Sequence, residues 1–225
     1  MPNYFHLTLD TTGPANPIII IEGGAAFSND PFVDCAISTD DSITSGYQMK
    51  IWGDVDTANN PDIQETEGTS SWITYQEIKQ VKLSNGDGPK QLYLKLRDDV
   101  YNESGQASDS ITLDTTKPVV TISGPDISKI SKQSGKNTAS FSFMSDQSFA
   151  EYKVKVVSST GAAHDTGTNI PISGGSTNMS GTGEYAANEA INCSIRGTDL
   201  ETASAGDGQK IIKVFVKDQA GNWSV

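Results

Sequence analysis

The sequence predicts an all-β fold of two antiparallel β-sandwiches in tandem, and three observations carry that prediction. Apolar residues recur with a period of two over short segments, Gly, Asp, Asn and Ser punctuate those segments, and the chain repeats itself once along its length. Of 225 residues, 35% are apolar and 21 are Gly, while 28 Asp and Glu face 16 Lys and Arg, for a formal net charge of −12. The chain is too apolar and too aromatic to be disordered, and too rich in turn formers to be built of long helices. Its acidity speaks against nucleic acid or an anionic membrane as a partner, since both require basic surface.

The repeat has three blocks in the same order. Leu9-Asp10-Thr11-Thr12-Gly13-Pro14 returns as Leu113-Asp114-Thr115-Thr116-Lys117-Pro118. Tyr47-Gln48-Met49-Lys50-Ile51-Trp52 matches Tyr152-Lys153-Val154-Lys155-Val156-Val157. Gly86-Asp87-Gly88-Pro89-Lys90 and the strand ending at Asp98 match Gly206-Asp207-Gly208-Gln209-Lys210 and the strand ending at Asp218. Ordered repetition of this kind means two homologous domains. The expected organisation is an N-terminal strand over residues 1–10, domain 1 over 11–114 and domain 2 over 115–225. The offset between copies grows from 104–105 to 120. The extra residues fall in Ser158–Gly183, which is dense in Ser, Thr, Gly and Asn and reads as a long surface loop with room for a short hairpin.

Within each copy the elements are strands. Met49 and Ile51 alternate with Gln48 and Lys50; Leu92, Leu94 and Leu96 alternate with polar neighbours; Ile212, Val214 and Val216 repeat the pattern. Such segments form antiparallel sheets with one face buried. About seven of them per domain fits an immunoglobulin-like sandwich. Glu189–Leu200 comes nearest to a helical period, but Ile191, Cys193 and Ile195 alternate as in a strand. Cys35 and Cys193, the two cysteines, each sit on the apolar phase of a strand in a different half, as buried free thiols would.

Two motifs carry a resemblance. Asp-Thr-Thr-x-Pro opens each domain, and Lys217-Asp218-Gln219-Ala220-Gly221-Asn222-Trp223-Ser224 stands near the end of the second. Arg97-Asp98-Asp99-Val100-Tyr101-Asn102-Glu103-Ser104 is a diverged copy without the Gly. Together they resemble the bacterial immunoglobulin-like repeats. That resemblance implies a non-catalytic module of stalks, adhesins or virion surfaces. The N-terminus offers neither a basic stretch nor an apolar run of ~7–15 residues, so no secretory signal is expected. The longest apolar run, Ile18–Ile21, is far short of the ~20 residues of a membrane span. The expectation is therefore a bacteriophage structural protein, a capsid decoration or a tail or baseplate component. It would be made in the host cytoplasm and carried in the virion, with itself and other virion proteins as partners.

The last strand of the first domain, Ser108–Asp114, has no counterpart after Asp218, whereas Tyr4–Asp10 resembles it and precedes the first domain. From Ser104 to Leu113 is nine steps along the chain; from Ser224 through Val225 and on from Met1 to Leu9 would be ten. The N-terminal strand, with Tyr4, Phe5, Leu7 and Leu9, is thus expected to pair with a sheet, either its own or that of domain 2 in a neighbour. An unpaired edge invites such addition.

Other candidates are weaker in chemistry. Asp98, Asp99, Asn102 and Asp114 are oxygen donors expected near the domain junction, and the resemblance admits calcium there, although Asp and Asn are equally turn formers. Trp52, on the polar phase of its strand, and Trp223, near a turn, are candidate partner contacts. The alternative to a virion role is a carbohydrate- or receptor-binding adhesion module, with a host-surface glycan as partner. Catalysis finds little material: His6 and His164 are the two histidines and neither accompanies a nucleophile motif. No cofactor is expected apart from calcium.

Overall fold

The computed structural model describes residues 3–225, and the chain divides into two compact units, residues 1–115 and 116–225. Unit 1 contains β1 (Ile18–Ile21), β2 (Phe27–Ser28), β3 (Phe32–Ser38), β4 (Gln48–Gly53), β5 (Ile73–Thr74), β6 (Ile78–Lys82), β7 (Gly88–Arg97) and β8 (Ala107–Leu113). One sheet has the order β1-β3-β6 and the other β2-β8-β7-β4-β5. All pairings are antiparallel except the short parallel contact of β2 with β8. The inward phase of both sheets supplies one core: Ile19, Ile21, Val33, Cys35 and Ile37 from the first, Met49, Ile51, Leu92, Leu94, Leu96, Ile111 and Leu113 from the second. Each such side chain contributes about 1.5–3 kcal/mol by leaving water.

Unit 2 follows the same plan with β9 (Val120–Ser123), β10 (Thr138–Ser145), β11 (Phe149–Val157), β12 (Thr168–Asn169), β13 (Ser180–Tyr185), β14 (Ile191–Arg196), α1 (Gly197–Ala203) and β15 (Ile211–Lys217). One sheet is β9-β10-β14. In the other, β11 pairs with β15 on one side and with β12 and β13 on the other. Phe143, Phe149, Tyr152, Val154, Met179, Cys193 and Val214 are among its core residues. The fold is all-β, with two tandem immunoglobulin-like sandwiches. Among the described residues no helix is long and apolar enough to cross a membrane.

Three expectations need correction. The matched Tyr47 and Tyr152 blocks are out of step by two residues. Leu96 and Val216 hold corresponding places, because each donates its N–H to a serine hydroxyl eight residues on, Ser104 and Ser224 respectively. Gln48 lies opposite Arg97 and Glu151 opposite Lys217, so Gln48 corresponds to Glu151 and Met49 to Tyr152. A slip of two keeps every side chain on its proper face, so alternation alone cannot detect it.

Ser158–Gly183 is not simply a surface loop. It contains β12 and the start of β13, and it places Ile170 and Met179 in the core. Its first part folds over the outer side of β11 and β15: Lys213 Nζ donates to the carbonyls of Thr160 and Ala162, and Lys155 Nζ to that of His164.

Glu189–Leu200 is strand only as far as Arg196, after which α1 begins. Gly197 permits the change, since a Cβ there would lie 2.2 Å from the Ser131 carbonyl oxygen. With seven residues α1 makes fewer than two turns, too few to impose a period on an 11-residue window.

Cys35 and Cys193 are buried and free, one in each unit. Burial pushes each thiol up to about 12, with Asp34 and other nearby carboxylates adding to the effect at Cys35. Because the thiolate is the reactive form, neither cysteine is expected to react with a maleimide in the folded protein at pH 8. Both should react in denaturant, and counting labels by mass spectrometry checks this; rapid labelling of the folded chain would contradict it.

Candidate functional site: an unpaired strand and an open sheet edge

The two units close the end of β7 and of β15 in the same way. In unit 1, Asn102 N–H and Nδ2 donate to the two Asp98 carboxylate oxygens at 2.8 and 2.9 Å, and Ser104 N–H donates to the Leu96 carbonyl at 2.8 Å. In unit 2, Asn222 makes the same pair of bonds to Asp218 at 2.8 and 2.9 Å, and Ser224 N–H donates to Val216 at 2.9 Å. Burial works against the charge on Asp98, but hydrogen bonds from Asn102, Val100 and Tyr101 outweigh it and hold its carboxyl below the usual range. The other ends match too: Gly88 and Gly208 both have φ of 127°, and Lys90 and Lys210 donate to the carbonyls of Asn85 and Ala205.

After the turn the units diverge. In unit 1 the chain continues into β8, which pairs with β7 from Leu94↔Ala107 to Gly88↔Leu113 and buries Ile111 and Leu113. In unit 2, β15 pairs with β11 alone among the described strands, so its other edge is open. Two consequences are visible. β7 has ten residues whereas β15 has seven. The difference is Gly208–Lys210, whose counterparts Gly88–Lys90 are in ladder with β8 and not with β4. The core is also uncovered: Ile21 of β1, opposite Cys35, is 0% exposed, but Ile122 of β9, opposite Phe143 in the same inward place, is 45% exposed.

Residues 3–9 show the converse. They make no ladder pairing among the described residues, and Tyr4, Phe5, Leu7 and Leu9 are 70, 84, 86 and 85% exposed. Beyond them the chain is anchored: Asn102 Nδ2 donates to the Asp10 carbonyl at 3.3 Å, and Gly13 sits so tightly on the Glu103 carbonyl that a Cβ would lie 2.1 Å from its oxygen. Residues 1 and 2 of the expected N-terminal strand lie outside the described residues.

The remaining candidates sort differently. Asp98 and Asn102 follow the last residue of β7, whereas Asp114 follows Leu113, which lies opposite the first. Antiparallel pairing therefore separates them by the length of β7, about 30 Å, and no shared cation site of Asp98, Asp99, Asn102 and Asp114 forms. Among the described residues no group of three or more His, Cys, Asp and Glu is placed to hold a metal ion. Trp52 occupies the outward phase, yet it is only 7% exposed and stacks on Tyr93 at 5.6 Å, because the segment around Gln64 bridges to it. Trp223 is half-buried, stacked on His164 at 4.5 Å with Lys153 and Lys217 over its ring. Lys50 and Arg97 both lie over Trp72. Each of these tryptophans packs on residues of its own unit. A shallow groove of ≈ 460 Å³ on the β9-β10-β14 sheet is lined by Ser140, Ser142, Thr177, Asn192 and Ser194, among others.

The fold thus defines a chain of two tandem immunoglobulin-like domains, the second with one sheet edge unpaired among the described residues. No protein-family model matches the sequence, and no curated protein does. Among solved structures, the chain is similar to the fibronectin(III)-like modules of Clostridium thermocellum CbhA, with TM-score 0.47 and 10% identity over 92% of this chain and 90% of that one. It is also similar to chitinase ChiA74 from Bacillus thuringiensis, with TM-score 0.31 and 12% identity over 92% of this chain but only 30% of the chitinase. The architecture described above rests on the strand pairings themselves.

Proposed function

We propose that this chain is a non-enzymatic structural protein of a bacteriophage particle, a capsid decoration or a tail or baseplate component, that assembles through its immunoglobulin-like sheets. The observation that carries the assembly reading is the run Tyr4, Phe5, Leu7 and Leu9, whose large apolar side chains are 70% exposed or more. Contiguous apolar surface of this kind marks an interaction site. The particle as the setting draws on the resemblance of the Asp-Thr-Thr-x-Pro and Lys-Asp-x-Ala-Gly-Asn motifs to bacterial immunoglobulin-like repeats. In this role the sandwiches are rigid spacers and the sheet edge makes the attachment. Density-gradient-purified particles of the phage encoding the chain should contain it by mass spectrometry, and antibody-gold should decorate one defined part of the particle. Its absence from purified particles, with the protein abundant in the lysate, would overturn the virion reading.

A further inference from the structure

We propose that residues 3–9 of one copy add to the edge of β15 that is unpaired among the described residues, in a second copy, joining copies head to tail. The inference rests on the reading of the chain as an assembly module and names the partner: another molecule of the same chain. Strand addition satisfies the unpaired N–H and C=O groups of an edge while side-chain pockets set the register.

The register follows from unit 1. β7 and β8 pair as Leu94↔Ala107, Leu92↔Asp109, Lys90↔Ile111 and Gly88↔Leu113. The matched turns equate β7 with the β15 segment, and the repeated Leu-Asp-Thr-Thr equates residues 107–113 with 3–9. Asn3 then lies opposite Val214, Phe5 opposite Ile212, Leu7 opposite Lys210 and Leu9 opposite Gly208. The phase is right: Phe5, Leu7 and Leu9 take the inward places of Asp109, Ile111 and Leu113, leaving Tyr4, His6 and Thr8 outward. In unit 1, Asp109 reaches β1 and accepts the N–H of Ile21 at 2.8 Å. Phe5 in that position covers Ile122, the inward residue of unit 2 left exposed. Gly208–Lys210, outside β15 at present, gain the ladder that their counterparts have.

Chain connectivity favours a second copy as the donor. Within one molecule β8 completes unit 1 and runs through Asp114–Pro118 into unit 2, where Pro118 is buried. Residues 3–9 run through Asp10–Pro14 into unit 1, where Pro14 is buried in the same way. Donation between molecules therefore reproduces the join that links the units within each molecule. The contact is heterologous, so it propagates into a filament or closes into a ring according to the rotation per step.

The test is a register-specific cross-link in the full chain. His6 should lie opposite Ile211 of the neighbour, so His6→Cys with Ile211→Cys should give a ladder of disulfide-linked dimers and larger species under mild oxidation. Tyr4→Cys with Ile211→Cys is two residues out of register, beyond disulfide reach, and should lose the ladder. A synthetic peptide of residues 3–12 in excess should also abolish it. Circular dichroism verifies that each variant is folded. Cross-links closed within single chains, no ladder from a folded His6→Cys, Ile211→Cys protein, or equal ladders from both pairs would overturn the proposal. This outcome is independent of particle composition: a ladder from a protein absent from virions removes the virion reading and leaves strand donation standing.

Discussion

Phe143→Ala is expected to destabilise unit 2 by about 3–5 kcal/mol, the usual cost of removing a buried aromatic ring and leaving its cavity. Phe143 is 1% exposed and lies 5.2 Å from the Tyr152 ring and 6.3 Å from that of Phe149, which itself stacks on Tyr185 at 4.8 Å. This aromatic cluster spans both sheets, since Phe143 comes from β10 and the other three from β11 and β13. Few neighbours can collapse into the gap, because rings do not fold into a hole of another shape. Denaturant unfolding followed by near-ultraviolet circular dichroism measures the effect. A loss below about 1 kcal/mol would mean that the ring is not a core element.

Asp199→Ala should cost about 2–3 kcal/mol at neutral pH, within the range for hydrogen bonds to a charged group. Asp199 is 1% exposed, and its oxygens accept the N–H groups of Gly174 and Ser176 at 2.6 and 2.8 Å, tying the long insertion to α1. Burial disfavours the charge, yet hydrogen bonds from Ser176, Gly174 and Ser173 prevail and lower its pKa. A carboxyl lowered in the folded state stabilises fully above its unfolded value, about 3.9. That contribution fades as pH falls through the folded value. The stability difference between the parent and Asp199→Ala should therefore be constant from pH 7 to about 5 and shrink below about pH 4. A difference that grew on acidification would contradict the assignment.

Much of this was legible in the sequence because its signals are local or repeated. Met49, Ile51, Leu92, Leu94 and Leu96 alternate as a half-buried strand must, and all five lie in the core. The repeated Asp-Thr-Thr-x-Pro falls within a residue of the division at Thr115 and Thr116. That β7 has a partner on both sides and β15 on one, among the described strands, could be anticipated by comparing one copy with the other. What escaped depends on groups distant along the chain. Trp52 carries the outward phase, and only the fold of residues 54–72 shows that another layer covers it. Asp98 and Asp114 both read as residues of the domain junction, but antiparallel pairing puts them at opposite ends of β7. Ile170 and Met179 lie in a stretch dominated by Ser, Thr, Gly and Asn, and nothing in it separates buried Ile170 from exposed Ile172 or announces a return to the core. The exposure of Ile122 was legible only in three dimensions, as the difference between two otherwise matched sandwiches.

The most direct measurement is the molar mass in solution, by light scattering over a range of concentrations, of the full chain and of the chain lacking residues 3–9. Strand donation predicts that the full chain associates beyond a monomer and that the truncated chain, with both units folded by circular dichroism, stays monomeric. Equal masses for the two at every concentration would contradict it.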